Sequence, residues 1–184
     1  MIKVIAFFGP SSSGKDTLVK IAATQPNVSE IVSCTTRPKR DYEKEGIDYY
    51  FLTTEQFTEK VLNGSMLEAT EFRNWFYGTP FEALKEDKIN IGVFNKSGVE
   101  SLLENPALDV TPILIACEDK LRLQRSLNRE VNPDCEEICR RFLADKKDFE
   151  EIDFDYLTFY NGAGIAQDSI IEFLCNNGLL TKND

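Results

Sequence analysis

The chain has 184 residues, enough for one compact domain, and 42% of them are apolar, including 13 Phe, which supplies a single buried core. A net charge of −10 repels polyanions, so nucleic acid and anionic membrane surfaces are excluded as broad partners, whereas a small anionic substrate needs only a local cluster of Arg and Lys. There is no His, and the five Cys (Cys34, Cys117, Cys135, Cys139, Cys175) form no C-x-x-C pair, which removes Ser-His and Cys-His catalysis and indicates neither a disulfide framework nor a zinc site.

Ile2–Phe8 is a short apolar run that reads as a buried parallel strand. Residues 9–14, rich in Gly, Pro and Ser, form a loop, and residues 17–23 have helical spacing. Strand, glycine loop and helix open a doubly wound α/β fold. Residues 33–85 are polar and aromatic and predict an inserted mixed α/β subdomain, with strands at 48–52 and Met66–Phe72 and a helix at Thr54–Leu62. Strands follow at 89–94, 112–117 and 156–160, and helices at 97–103, 119–129, 135–149 and 163–175. Crossover helices between short apolar strands imply a parallel sheet flanked by helices. The tail from 181 to 184 is expected to fray. No run approaches the ~18 apolar residues of a membrane span and no secretion signal is visible, so a cytoplasmic protein is expected.

Gly9-Pro10-Ser11-Ser12-Ser13-Gly14-Lys15 matches G-x-x-x-x-G-K. Phosphate oxygens need several N–H donors converging on one point. Glycines let the backbone wrap close, and the following helix adds its partial positive charge. Lys15 would reach the β- and γ-phosphates of ATP. The next position, where a hydroxyl normally meets Mg²⁺, is Asp16, with Thr17 after it. Either these two serve as metal ligands, or Asp16 merely favours the first turn of the helix.

Arg37 and Arg40 lie three apart in SCTTRPKR and, with Tyr49 in EGIDYYF, suit a phosphate clamp. Glu68 in MLEATEF could accept from guanine N1–H and its exocyclic amine. With GPSSSGK and FYGT, these stretches resemble the guanylate kinase family in order and spacing from residue 3 to about 176. The resemblance implies one P-loop kinase domain, its core at 1–32, 86–118 and 149–184. It implies a monophosphate-binding subdomain at 33–85 and a helical lid at 119–148. It assigns Ser33, Arg37, Arg40, Tyr49 and Tyr77 to the GMP phosphate, and Glu68 and Thr79 to the base. Arg125, Arg129 and Arg141 fall where the family's lid arginines act on the transferring group. Asn161 falls near the adenine-contacting loop, with Gly162 where the family often has Asp. Arg122 and Arg140 are expected to be ordinary helix-surface charge.

The expected activity is phosphorylation of GMP or dGMP by ATP with Mg²⁺. Lid and subdomain should close on the core to exclude water, and should stand splayed apart without ligand. The sequence departs from the family in the strand where two acids are expected: those positions are Val93 and Asn95. Asp16 is one candidate to replace the lost carboxylate. Two alternatives remain: a ribose 1,5-bisphosphate phosphokinase, which also tends to show G-K-D and this Asn, and a non-catalytic guanylate-kinase-like binding module.

Overall fold

The computed structural model describes residues 1–40, 43–72, 74–129 and 131–181. Most of the tail expected to fray lies outside the described residues. Two sheets carry the fold. The larger is parallel and has five strands: β1 (Ile2–Phe8), β2 (Val28–Glu30), β7 (Ile89–Val93), β8 (Leu108–Ala116) and β9 (Leu157–Tyr160). Their order is β2-β7-β1-β8-β9, so β1 is central and pairs with both β7 and β8. The smaller sheet is mixed: β3 (Cys34–Thr35), β4 (Tyr50–Phe51), β5 (Met66–Phe72) and β6 (Trp75–Pro80), in the order β4-β3-β6-β5. The helices are α1 (Lys15–Ala22), α2 (Thr54–Leu62), α3 (Lys96–Leu103), α4 (Asp119–Leu127), α5 (Cys135–Asp148) and α6 (Ser169–Asn176). Among the described residues no helix is long and apolar enough to cross a membrane.

Side chains alternate across a strand, and β1 uses this to build two cores. Ile5 and Phe7 pack with Leu18 and Val19 of α1 and Ile170 and Leu174 of α6 on one face. Val4, Ala6 and Phe8 pack with Val99 and Leu102 of α3 on the other. Burial on both faces explains why this strand is continuously apolar from Val4 to Phe8. Both ends of the central strand are thereby fixed, and the loop after Phe8 emerges at the carboxyl edge of the sheet, where ligands of open α/β folds bind.

Strands β2, β3 and β6 are not among the expected elements, and three boundaries differ most from the sequence reading. Strand β8 begins four residues before Pro112, because only β1 borders that stretch; β9 joins from Ile113 onward. The strand predicted at 48–52 shrinks to two residues paired with Cys34 and Thr35. The last helix starts at Ser169 rather than 163, since Gly164 has a left-handed φ of 78° that interrupts a helix there.

One polar side chain is sealed within the larger sheet. Asn90 of β7 accepts from the Lys85 N–H at 2.8 Å and donates to the carbonyls of Lys85 and Lys3 at 2.9 and 3.2 Å. It ties the approach to β7 onto β1. Replacing Asn90 by Ala strands these buried groups and is expected to lower unfolding free energy by roughly 2–3 kcal/mol in urea titration, with little loss of secondary structure.

Candidate active site

The phosphate loop turns through three left-handed residues, Gly9 (φ 133°), Ser12 (φ 61°) and Gly14 (φ 97°). Gly14 also caps α1, and Asn161 approaches it so closely that a Cβ there would lie 2.4 Å from Asn161 Nδ2. Asn161 is buried, and its Nδ2 donates to the Ser13 carbonyl at 2.7 Å. Arg125 Nη1 donates to the same carbonyl at 3.2 Å and to Cys117 Sγ at 3.4 Å. Lys15 folds back: Nζ donates to the Gly9 and Pro10 carbonyls at 2.8 and 2.9 Å. Burial lowers the Lys15 ammonium from its ordinary value, with Asp16 and Asp145 partly offsetting the effect. Asp16 and Thr17 are exposed on the first turn of α1.

Helices α4 and α5 sit on this loop. Asp145 accepts from Ser11 N–H at 2.7 Å and from Ser11 Oγ at 3.2 Å. Arg122 donates from Nε to the Ser11 carbonyl at 3.0 Å and from Nη2 to Asp145, and its guanidinium lies 5.1 Å from the centre of the Phe142 ring. Arg122 is therefore not the surface charge expected from sequence; only 5% of it is exposed. A buried guanidinium persists here because a carboxylate, a carbonyl and an aromatic face all receive it. Arg140 does behave as expected, paired with Glu137 on the exposed face of α5. Arg129 Nη2 donates to Ser12 Oγ at 3.3 Å, and Arg141 Nε donates to Glu137 at 2.6 Å.

The acceptor residues gather on the smaller sheet. Arg37 forms two parallel bonds with Glu43, Nη1 to Oε2 at 3.0 Å and Nη2 to Oε1 at 2.7 Å. Arg40 presents its backbone N–H to Glu43 at 2.8 Å and its guanidinium at 3.6 Å. Burial opposes charge on Glu43, but Arg37 and Arg40 outweigh it and hold the carboxyl below the usual range. Arg37 lies 5.8 Å from the centre of the Tyr49 ring, and Tyr49 meets Tyr77 edge to face. Glu43 was passed over in the sequence; its signal was an acid three residues after Arg40.

Behind the tyrosines, Thr79 Oγ1 donates to Glu68 Oε1 at 2.8 Å and is itself bonded to Ser33 Oγ at 3.0 Å. Burial pushes the Glu68 carboxyl up to about 7, against the opposing pull of Thr79. Gly9, Ser11, Lys15, Ser33, Tyr49, Glu68 and Tyr77 line one cavity of about 890 Å³ that joins the two halves of the site. Arg40 and Arg141 share a second cavity with Ser11 and Ser12. The segments expected to stand splayed apart thus approach each other across the phosphate loop. Val93 and Asn95 line the large cavity where acids were expected.

The guanylate kinase family model matches residues 1–172. The chain belongs to the guanylate kinase family. It is 30% identical over 174 residues to a guanylate kinase of Helicobacter hepaticus, covering 91% of this chain and 87% of that one. A guanylate kinase of Malacoplasma penetrans is 29% identical over 98% of this chain and 96% of its own length. In fold the chain is similar to the crystal structure of the guanylate kinase from Anaplasma phagocytophilum, with a TM-score of 0.66 at 22% identity, covering 99% and 90% of the two chains.

A carboxyl raised in the folded state favours its neutral form there. The stability Glu68 lends is present below its ordinary value of 4.5 and is lost as pH rises to about 7. Urea unfolding is expected to show E68Q more stable than the parent at pH 8 by roughly 2–3 kcal/mol and about equal to it at pH 4.5. A difference that stays constant between these pH values contradicts the assignment.

Proposed function

We propose that the protein transfers the γ-phosphoryl group of ATP to GMP or dGMP. The observation that carries this reading is the continuous cavity between Lys15 on the phosphate loop and Tyr49, Glu68 and Tyr77 on the smaller sheet. Two nucleotides entering it from opposite ends bring their phosphates together. Little covalent chemistry is asked of the protein in such a transfer; positioning and charge neutralisation dominate.

On the donor side, the main-chain amides of Ser12, Gly14 and Lys15 receive the phosphates of ATP, while the Ser11 N–H is held by Asp145, and Lys15 exchanges its loop carbonyls for phosphate oxygens. Arg129 and Arg141 face the loop from the lid at 119–148 and stabilise charge on the moving group. Arg125 and Asn161 support this reading differently from the way expected of a lid arginine and an adenine contact. Both grip the Ser13 carbonyl, so their role is to hold the loop in shape. On the acceptor side, Arg37, Arg40, Tyr49, Tyr77 and Ser33 bind the monophosphate within the subdomain at 33–85. Glu43 keeps the two guanidinium groups aligned before the phosphate arrives. Glu68 and Thr79 read the guanine edge. Lid and subdomain together exclude water, which would otherwise accept the phosphoryl group.

Among the described residues no three or more His, Cys, Asp or Glu gather as a metal cluster. The exposed carboxylate of Asp16 and hydroxyl of Thr17 on the first turn of α1 are hard oxygen donors that would hold Mg²⁺, an ion that keeps several waters and leans on substrate phosphates. When bound, the ion neutralises charge on the β- and γ-phosphates.

A coupled ADP-release assay is expected to show turnover with GMP and dGMP, none with ribose 1,5-bisphosphate, and a loss of at least ~10³-fold on Lys15→Met. Turnover confined to the bisphosphate, or absent with every acceptor, overturns the reading in favour of a phosphokinase of that sugar or a binding module. Replacing Asp16 by Ser is expected to reduce kcat about tenfold or more and flatten the dependence on Mg²⁺ concentration. Unchanged kinetics would remove Asp16 from the metal site.

A further inference from the structure

The base end of the large cavity contains a hydrogen-bond donor where a guanine would want an acceptor. Gly98 lies in the first turn of α3, and a Cβ placed on it would sit 3.0 Å from Asn95 Oδ1 and 3.4 Å from Glu68 Oε2. Asn95 and Glu68 therefore flank a single point, and both line the cavity together with Thr70 and Ser97.

The orientation of the Asn95 amide is dictated by its partners. Gly98 N–H donates to Oδ1 at 2.7 Å, and Ser97 Oγ donates to the same atom at 3.2 Å. A backbone N–H can only donate, so Oδ1 must face the helix and Nδ2 must face away from it. Nδ2 accordingly donates to Thr70 Oγ1 at 2.9 Å. A carboxamide nitrogen carries two hydrogens, and Thr70 takes one. Glu68 presents the opposite character: Thr79 is bonded to Oε1, and Oε2 is the oxygen beside Gly98.

Consider a purine whose N1 meets Glu68. Above pH 7, where the Glu68 carboxyl is ionised, it requires N1–H, which 6-oxopurines possess and adenine lacks. The Thr79 and Ser33 hydroxyls stand on the Oε1 side of Glu68, where they suit a 6-oxo group, so position 2, on the other side of N1, takes the Oε2 side that Asn95 flanks. An exocyclic 2-amino group can give one hydrogen to Glu68 Oε2, but its other hydrogen then brings donor against donor at Asn95 Nδ2. A 2-carbonyl accepts from Nδ2, and a bare C2–H leaves no polar group opposed. We propose that the acceptor pocket is strict at position 6 of the purine and permissive at position 2, so that IMP and XMP are phosphorylated alongside GMP. Asn95 is the specificity-determining residue. This rests on the nucleotide kinase reading given above and names the substrate class of the same site.

The test measures kcat/KM of the full chain for GMP, IMP, XMP and AMP with ATP at about pH 8.5, where Glu68 is ionised, in the parent and in N95D. Aspartate caps a helix as well as asparagine does, so N95D keeps the start of α3 intact. It also restores an acceptor opposite position 2. In the parent, IMP and XMP are expected within about tenfold of GMP, and AMP about 10³-fold or more below it. N95D is expected to raise the preference for GMP over IMP and over XMP by roughly 30-fold, the worth of one hydrogen bond to a charged acceptor. Should N95D turn over too slowly to measure, calorimetric binding of GMP against IMP reads the same ratio. IMP and XMP rejected by more than about tenfold relative to GMP in the parent, or a ratio that N95D leaves unmoved, overturn the inference while leaving the kinase reading intact. Failure of GMP itself to turn over or bind brings down the reading beneath it.

Discussion

The site depends on how the carbonyl groups of the phosphate loop are held. A peptide unit is planar and trans, so its C=O and the following N–H point in opposite directions. Asn161 and Arg125 hold the Ser13 carbonyl, which turns the Gly14 N–H the other way. Arg122 does the same through the Ser11 carbonyl for the Ser12 N–H, and Lys15 takes the carbonyls of Gly9 and Pro10. Each grip on an oxygen that an N–H follows aims that amide; the Gly9 carbonyl precedes Pro10, which has none, and serves only to seat Lys15. The loop is a receptor for anions because cations and an amide on its outer side fix the direction of its main chain.

The same logic governs charge. In a chain with a net charge of −10, four arginines of the site come with carboxylate partners: Arg37 and Arg40 with Glu43, Arg122 with Asp145, Arg141 with Glu137. These acids hold flexible guanidinium groups in one geometry, so less rotamer freedom is lost when a phosphate arrives. They also keep a cluster of like charges from repelling itself in the free protein. The phosphate then joins an existing network rather than assembling a new one.

Much of this arrangement was legible in the residues themselves. Residues 9–17 state their own context, a buried strand before and a helix after, and Met66–Phe72 and Thr54–Leu62 have the ends that alternation and a Thr53–Gln56 capping box dictate. The acceptor residues were legible as a set because their order and spacing resemble a family. Contacts between distant segments were not legible. Arg122 reaches Ser11 across 111 residues, and Asn161 reaches Ser13 across 148. Nothing in helical periodicity distinguishes Arg122 from Arg140, since both lie on charged helices. Asp145 left a faint trace, one acid at the buried spacing of Ile138, Phe142 and Phe149. Glu43 was masked by a surrounding run of charged residues whose ordinary place is the solvent.

The Arg122–Asp145 pair also constrains how the molecule can change over time. Each partner is almost wholly buried, so losing either alone leaves an uncompensated charge inside the protein, a defect of about 3–5 kcal/mol. A neutral apolar couple of similar volume in both places would leave no stranded charge, at the cost of the contacts to Ser11. The route between the two states passes through a far less stable intermediate, which makes these positions epistatic. Descendants of this chain are therefore expected to keep both residues or to lose both, and the hold of the two helices on Ser11 is inherited as a unit.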